Sequence, residues 1–266
     1  MRQTGFFLIV LFLIISAIYL IFFKPTDEFV ENDLYAEIVQ RGYIKVGINT
    51  DSQPFGFYDE KGRIIGYDAD LAGYIAQYMV KDSSKVQFIP VTPSNRLIKA
   101  STGEVDMVIS TVTITPQRQE VVSFSRSYDS AGQALLVKSN SAVSGLQDLA
   151  GQSIGVIFGT TAEKNISHLV PTAHIQGFRS YQDAYLALKS GSINAITSDD
   201  TILNRFALAD KGVRLLPRRY SNEPYGIAFK KGESTLRLKE ELDFALNDLI
   251  RRNILNSLHN KWGLGG

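Results

Sequence analysis

The stretch "GEVDMVISTVTITPQR" (Gly103–Arg118) indicates how this chain folds. Its first glycine is typical of a helix end, "VDMVIS" is a short apolar strand, and the loop after it is rich in hydroxyl groups. Thr115 and Pro116 then predict the cap and the first position of another helix. A second stretch, "GSINAITSD" (Gly191–Asp199), repeats the plan of glycine, strand and polar loop. The pattern predicts an α/β fold with two related halves.

The polar loops of these two stretches mark the expected ligand site. In open α/β sheets, ligands lie beyond the carboxyl ends of the strands. The segments Ser110–Thr115 and Ser198–Thr201 both follow such strand ends. A ligand that touches both loops would lie in a cleft between two lobes.

The composition is that of a globular protein, and it excludes several classes of function. The chain has 266 residues, of which 44% are hydrophobic and 21% charged, and its net charge of +1 argues against nucleic-acid binding. It contains no cysteine, which excludes disulfides, thiolate metal sites, cysteine nucleophiles and lipid attachment to cysteine. No catalytic, phosphate-binding or metal-ligand motif is present. We therefore expect a binding protein that is not an enzyme and has no cofactor or metal.

The N-terminal segment is expected to direct the chain out of the cytoplasm. Phe6–Phe23 is a run of 18 uncharged residues, which as a helix would span roughly 27 Å, close to the thickness of the hydrocarbon core. We predict that residues 1–25 are a signal anchor or a cleaved signal peptide, and that residues 26–34 are a linker. The anchor is favoured because Phe22–Phe23, not small residues, end the run. The body would then be periplasmic or on the cell surface.

Local patterns predict how several helices begin, end and pack. Asp68 or Asp70 is a candidate cap for one helix, and Ser94 for a helix that ends at Gly103. The last long helix carries an apolar stripe at helical spacing. The stripe consists of Leu238, Leu242, Ala245, Leu246 and Leu249.

Arg118 is the first candidate for ligand binding. Its guanidinium offers a planar fork of donors suited to a carboxylate, and it follows the hydroxyls of Thr111, Thr113 and Thr115. An anion would be favoured at this helix start. The alternative is an exposed arginine that pairs with a surface acid such as Glu120.

Three further groups have both a binding and a structural interpretation. Asp199 or Asp200, after a buried strand, suits an ammonium group, but either aspartate also suits a helix cap. Arg96, just after the predicted cap at Ser94, is another candidate, but an arginine there is also typical of the solvent face of a helix. The Gly159–Thr161 triplet offers N–H and hydroxyl donors, but such a sequence also forms turns and caps.

The chain resembles the polar amino-acid family of extracellular solute-binding proteins that serve ABC transporters. The resemblance covers roughly residues 35–264 and is most specific in "PFGFYDEKGRIIGYDADLA" (Pro54–Ala72) and "SNRLIKASTGEVDMVISTVTITPQRQEVVSFSRSY" (Ser94–Tyr128). It implies a two-lobed periplasmic-binding fold (type II) with two strands crossing at the hinge. The implied first lobe comprises residues 35–130 and 222–266, and the second comprises residues 131–221.

The resemblance also implies roles for individual residues. Arg118 would bind the α-carboxylate of a free amino acid, helped by Thr113 and by Thr161 of the second lobe. Asp199 would bind the α-ammonium. Arg96 would face a polar side chain, as in binders of glutamate, aspartate and their amides. Further candidate contacts are Ser110, Thr111, Asn49 and Phe55. Phe55, Tyr58 or Phe158 would substitute for the stacking rings of relatives, because Ser52 and Pro93 occupy those places here.

The implied partners are a small amino acid and an ABC transporter permease, with the binding protein acting as a monomer. Two alternatives remain open at this point. The chain could report amino-acid levels to a membrane receptor, or it could be a dehydratase, which some relatives of this fold are.

Overall fold

The computed structural model describes residues 33–264. The predicted membrane or signal segment lies outside these residues, as does most of the predicted linker. Chain from Leu34 onward forms one compact unit. The first helix begins at Leu34, so the last residue of the range predicted as linker is helical. Among the described residues, no helix has the length and apolar character needed to cross a bilayer.

The first of two large sheets is mostly built from the N-terminal half of the chain. Its strands are β1 (Ile44–Asn49), β5 (Val86–Val91), β6 (Met107–Val108), β7 (Val122–Ala131) and β13 (Glu223–Lys230). Their order in the sheet is β5-β1-β6-β13-β7. β1 runs parallel to β5 and β6, while β13 runs antiparallel to β6 and β7. We call this sheet, with the helices that pack on it, the first lobe.

The second large sheet is built from the middle of the chain. Its strands are β8 (Gln133–Lys138), β9 (Ser153–Ile157), β10 (His174–Phe178), β11 (Ala195–Asp199) and β12 (Val213–Leu215). Their order in the sheet is β10-β9-β11-β8-β12. β9 runs parallel to β10 and β11, while β8 runs antiparallel to β11 and β12. We call this sheet, with its helices, the second lobe.

The chain passes from one sheet to the other at two places. β7 ends at Ala131 and β8 begins at Gln133, while the return leads into β13 at Glu223. The lobe boundaries themselves stay a prediction.

A small third sheet lies close to the first. It contains β2 (Asp51–Ser52), β3 (Gly56–Tyr58) and β4 (Ile64–Ile65), joined as antiparallel neighbours. The N–H of Gly62 donates to the carbonyl of Asp59 and closes the turn between β3 and β4.

Helices connect and cover the strands. In the first lobe they are α1 (Leu34–Arg41), α2 (Tyr67–Val80), α3 (Arg96–Thr102), α4 (Pro116–Gln119), α8 (Leu236–Arg251) and α9 (Ile254–Lys261). In the second lobe they are α5 (Thr161–Leu169), α6 (Tyr181–Ser190) and α7 (Asp200–Ala209). Short 3₁₀ turns occupy Leu146–Leu149 and Glu233–Thr235. All five residues of the apolar stripe predicted for α8 are buried, so that prediction is confirmed.

Two of the predicted helix caps are wrong, while the others hold. α2 begins after Gly66, without a side-chain cap, because the carboxylates of Asp68 and Asp70 bond to more distant groups. α3 begins after Asn95, because the hydroxyl of Ser94 donates across to the carbonyl of Phe158 at 3.2 Å. The predicted Thr115–Pro116 cap of α4 and the glycine ends of α3 and α6 are confirmed.

Candidate ligand-binding site

The loop after β6 carries three of the polar residues that the sequence predicts at the site, Ser110, Thr111 and Thr113. The hydroxyl of Ser110 accepts a hydrogen bond from the N–H of Asn49 at 3.1 Å, which ties the loop to the end of β1. Thr113 forms an isolated antiparallel bridge with Tyr225. Thr111 has a φ of 46°, a left-handed conformation that is unusual for a β-branched residue. The loop therefore has a specific backbone shape that exposes its carbonyls to two arginines.

Arg96 lies beneath this loop and is only 3% exposed. Its Nη1 atom donates to the carbonyls of Ser110 and Thr111. Its Nε atom is buried and has no hydrogen-bond partner. The interpretation of Arg96 as a solvent-facing residue is therefore wrong. A buried guanidinium with one unsatisfied N–H can donate to a further acceptor.

Arg118 bridges the two lobes. It is 9% exposed, and its guanidinium donates to the carbonyl of Thr113 at 2.9 Å and to the carbonyl of Gly159 at 3.1 Å. Thr113 belongs to the first lobe and Gly159 to the second. The alternative of an exposed arginine paired with Glu120 is therefore wrong. Since α4 has only four residues, the side chain and not a helix N-terminus is the cationic feature here.

Asp199 ends β11 on the opposing lobe, and it is 8% exposed. Its carboxylate accepts a hydrogen bond from the hydroxyl of Tyr225 at 2.5 Å and makes no side-chain cap to α7. Asp200, the first residue of α7, instead accepts from the N–H of Gly132 and pairs with Arg219. The capping interpretation is therefore not supported for Asp199, whose carboxylate contacts Tyr225 of β13.

Thr161 contacts β13 rather than an open cleft. Its hydroxyl donates to the carboxylate of Glu223 at 2.8 Å, and Ser221 donates to the same carboxylate at 2.6 Å. Glu223 is 3% exposed. Any contact of Thr161 with a ligand carboxylate would therefore use its backbone N–H, while its hydroxyl holds Glu223. Thr160, its neighbour, caps α5 with its side chain.

Phe55 lies in the core of the first lobe. Its side chain is fully buried, and its ring makes edge contacts with Tyr67 and Tyr225 at centroid distances of 5.8 and 5.7 Å. A stacking contact of Phe55 with a ligand stays a prediction. Phe158 is 41% exposed, and its carbonyl accepts from Ser94. Tyr58 is 50% exposed.

Burial controls the ionisation of the charged groups at the site. Desolvation, reinforced by the charge of Arg96, lowers the pKa of Arg118 to about 10, while Asp199 and Glu223 act in the opposite direction. Desolvation raises the pKa of Asp199 to about 6, although the Tyr225 hydrogen bond opposes that rise. These mutual effects mean that both arginines and both carboxylates share one electrostatic environment.

Two cavities adjoin the lobe interface. One of about 220 Å³ lies beside Asn49, Asp51, Pro93 and Tyr181, and Asn49 is the one predicted site residue that lines it. A larger groove of about 650 Å³ runs along α7 to Leu264. Neither cavity is lined by Arg96, Arg118 or Asp199. We place the candidate site at these buried charged groups and not in either cavity, because ligand recognition depends on convergent polar groups and not on volume. Among the described residues, no cluster of three or more His, Cys, Asp or Glu side chains suits a metal ion.

The sequence interpretation missed three residues that the structure brings to the site: Glu223, Tyr225 and Asp68. Glu223 and Tyr225 are separated by Pro224, so the two-residue period of a strand places them on one face. That period was the available signal for both. Asp68 was interpreted as a helix cap, and no local pattern connects it with the distant Thr111.

Comparison with known proteins identifies the family. The sequence profile of bacterial extracellular solute-binding proteins, family 3, matches residues 44–265. The chain belongs to this family. Glutamine-binding protein GlnH of an ABC transporter in Bacillus subtilis is 35% identical over 234 residues, which cover 87% of this chain and 85% of the relative.

Solved structures of similar proteins agree with the fold. One, described as an ancestral arginine-binding protein bound to glutamine, is 34% identical with a TM-score of 0.77, and the alignment covers 84% of this chain and 98% of the other. Another is the ancestral amino acid-binding protein AncCDT-1, a precursor of cyclohexadienyl dehydratase, at 31% identity and a TM-score of 0.79, covering 86% and 98%. The prediction of a two-lobed α/β solute-binding fold is thus confirmed.

Proposed function

We propose that this family 3 protein binds a free polar L-amino acid between its two lobes and delivers it to an ABC transporter permease. The observation that carries the proposal is the placement of a buried cation, Arg118, and a buried anion, Asp199, on opposing lobes. A zwitterion presents one charge to each. The similarity to a glutamine-binding protein of an ABC transporter supports the same ligand class.

The α-carboxylate would bind the guanidinium of Arg118, whose two present partners are neutral carbonyls. A carboxylate is a stronger partner for that group than a carbonyl, since both members of the pair are charged. Thr113 and the N–H of Thr161 would complete the carboxylate pocket. Asp199 would accept the α-ammonium beside Tyr225.

The ligand side chain would extend toward Arg96. The unpartnered Nε of Arg96 favours an oxygen acceptor, so glutamine, glutamate, asparagine and aspartate are the preferred ligands. Asn49, Ser110 and Thr111 would line the same region. Asn49 is already oriented, because its side-chain oxygen accepts from the N–H of Asp51 at 2.9 Å.

Binding would be completed by closure of the lobes. The amino acid would dock on the first lobe, after which the second lobe would add Thr161 and Asp199. Contacts that exist only between the lobes, such as Ser94 with Phe158, favour the closed form. Ligand and closure would therefore stabilise each other.

The remaining parts of the proposal concern location and partners. The protein would act outside the cytoplasm, with the segment at residues 6–23 as its anchor or signal. It would act as a monomer that presents its closed form to the permease. No observation favours the sensing or dehydratase alternatives over transport.

The test is a calorimetric titration of the purified full-length protein with the free L-amino acids. We expect a polar amino acid to bind, and Arg118→Ala to weaken that binding by about 30-fold or more, because truncating one partner of a buried charge pair costs about 2–5 kcal/mol. The matched control is Arg126→Ala, which removes an exposed arginine and should leave the affinity unchanged.

Thermal unfolding of the same samples provides a second measurement. Ligand at 100 times its Kd should add about 2.7 kcal/mol to the free energy of unfolding of the wild-type protein. Absence of binding by every amino acid would refute the proposed ligand class. Normal binding by a folded Arg118→Ala variant would refute the assignment of the carboxylate anchor.

A further inference from the structure

The carboxylate of Asp68 lies directly beneath the loop that holds both arginines. Asp68 is the second residue of α2 and is fully buried. One of its oxygens accepts from the N–H of Thr111 at 3.1 Å, and the other accepts from the hydroxyl of Tyr128 at 2.9 Å. The N–H of Thr111 also lies 3.2 Å from the Tyr128 hydroxyl. The three groups form a closed triangle of hydrogen bonds.

The contact falls on the one residue of the loop whose backbone is left-handed. Thr111 has a φ of 46°, although its β-branched side chain disfavours that conformation. A strained backbone persists only when its surroundings fix it. The buried hydrogen bond from Thr111 to Asp68 is such a constraint.

The shape of this loop determines where both guanidiniums point. The carbonyls of Ser110 and Thr111 accept from Arg96, and the carbonyl of Thr113 accepts from Arg118. All three carbonyls lie within four consecutive residues. A change in the backbone at Thr111 would therefore move the acceptors of both arginines together.

We propose that Asp68 is a positioning residue for ligand binding: its side-chain oxygen fixes the Ser110–Thr113 loop, and that loop orients Arg96 and Arg118. Asp68 would not touch the ligand. Its effect would require an acceptor oxygen beneath the N–H of Thr111 rather than a negative charge. The binding test of this inference assumes the proposed function. The second test uses the ligand-free protein and does not depend on that function.

The first test uses substitutions that separate the acceptor from the charge. Asp68→Leu removes both while keeping the branched arrangement of side-chain heavy atoms, and Asp68→Asn keeps an acceptor oxygen. With L-glutamine as the probe, we expect Asp68→Leu to raise Kd at least tenfold and Asp68→Asn to stay within about threefold of wild type. The control is Asp70→Leu on the same helical turn, whose carboxylate bonds to Lys261 and Trp262 and should leave Kd unchanged.

The second test needs no ligand. Amide hydrogen exchange of the segment containing residues 110–113 should be at least tenfold faster in Asp68→Leu than in wild type, whereas β9 and α5 of the second lobe should exchange as before. Asp68→Asn should restore slow exchange. If Asp68 served only the general stability of the first lobe, Asp68→Leu would speed amide exchange throughout that lobe. Asp68→Asn would then not restore slow exchange in residues 110–113 alone.

Each outcome is decisive. Unchanged exchange of the loop in folded Asp68→Leu would overturn the inference, whichever ligand the protein binds. Asp68→Ala provides a second variant without added bulk, and failure of both variants to fold would overturn it too, because Asp68 would then serve the folding of the lobe. If no amino acid binds wild type, the proposed function fails while the exchange result still decides the role of Asp68.

Discussion

At the scale of single residues, the site is held by buried charges whose partners are mostly neutral. Arg96 and Arg118 donate to backbone carbonyls, and burial lowers the pKa of each. A buried charge is costly unless it is paired and hydrogen-bonded. An anionic ligand would supply the pairing, so the same desolvation that strains the free site would strengthen binding.

Asp68 gives a stability prediction that depends on pH. Desolvation raises its pKa from 3.8 to about 7 in the folded protein. Because the folded pKa is the higher one, the stability associated with neutral Asp68 is fully present below about pH 4 and is lost as the pH rises through about 7. Asp68→Asn removes this loss. We expect the free energy of unfolding of Asp68→Asn minus that of wild type to increase by about 2–3 kcal/mol from pH 5 to pH 8, because only the wild-type protein loses stability over that range.

Denaturant unfolding of both proteins at the two pH values checks this expectation. Asp199, whose pKa is also raised, contributes with the same sign and is unchanged in both proteins, so its effect largely cancels in the difference. A relative stability that is the same at pH 5 and pH 8 would contradict the burial of an ionisable Asp68.

At the scale of elements, the loop between β9 and α5 packs tightly against the backbone of the first lobe. Gly159 has a φ of 82°, and a Cβ added there would lie 2.5 Å from the carbonyl oxygen of Pro93. The same residue accepts a hydrogen bond from Arg118 and donates to Glu163. Glycine is required at this point because the opposing backbone leaves no room for a side chain.

We expect Gly159→Ala to weaken amino-acid binding about tenfold or more, because the added methyl would keep the lobes apart. Titration calorimetry measures the change. The control is Gly151→Ala, which also has a positive φ, 68°, but no atom within 4 Å of the added Cβ. That variant carries the backbone strain without the clash, so an equal loss of affinity in both variants would reject the steric explanation.

At the scale of the whole molecule, a set of contacts across the lobes holds the closed arrangement. Arg205 of α7 donates to the side chain of Gln53 at 2.7 Å, and Asp51 accepts from the N–H of Tyr181 at the start of α6 at 2.6 Å. On another side, Lys164 donates to Gln117. None of these residues is among the proposed ligand contacts, so they would tune closure independently of recognition.

We expect Arg205→Ala to weaken amino-acid binding by about two- to tenfold, mainly through faster dissociation, because one hydrogen bond to a charged group is lost from the closed form. Stopped-flow dissociation and small-angle scattering of the saturated protein measure the effect. Arg219→Ala is the control, since its bonds to Asp200, Leu216 and Pro217 lie within residues 131–221. A matching effect of Arg219→Ala would remove closure as the cause.

The sequence by itself determined the features that depend on near neighbours. The apolar stripe of α8, the glycine helix ends and the Thr115–Pro116 cap follow from residues within one or two turns, and all of them are observed. The family, and with it the two-lobed fold, was also readable, because long motifs such as Ser94–Tyr128 carry more information than any single residue.

Only the tertiary structure decided the partners of the polar side chains. Asp68 bonds to Thr111 across 43 positions, Tyr225 to Asp199 across 26, and Ser94 to Phe158 across 64. A polar side chain can hydrogen-bond to nearby backbone, as in a helix cap, or to a group far away in the sequence. The distant partner is used when the tertiary structure brings an unpaired buried group within hydrogen-bonding distance. The caps predicted at Asp68 and Ser94 were wrong for that reason.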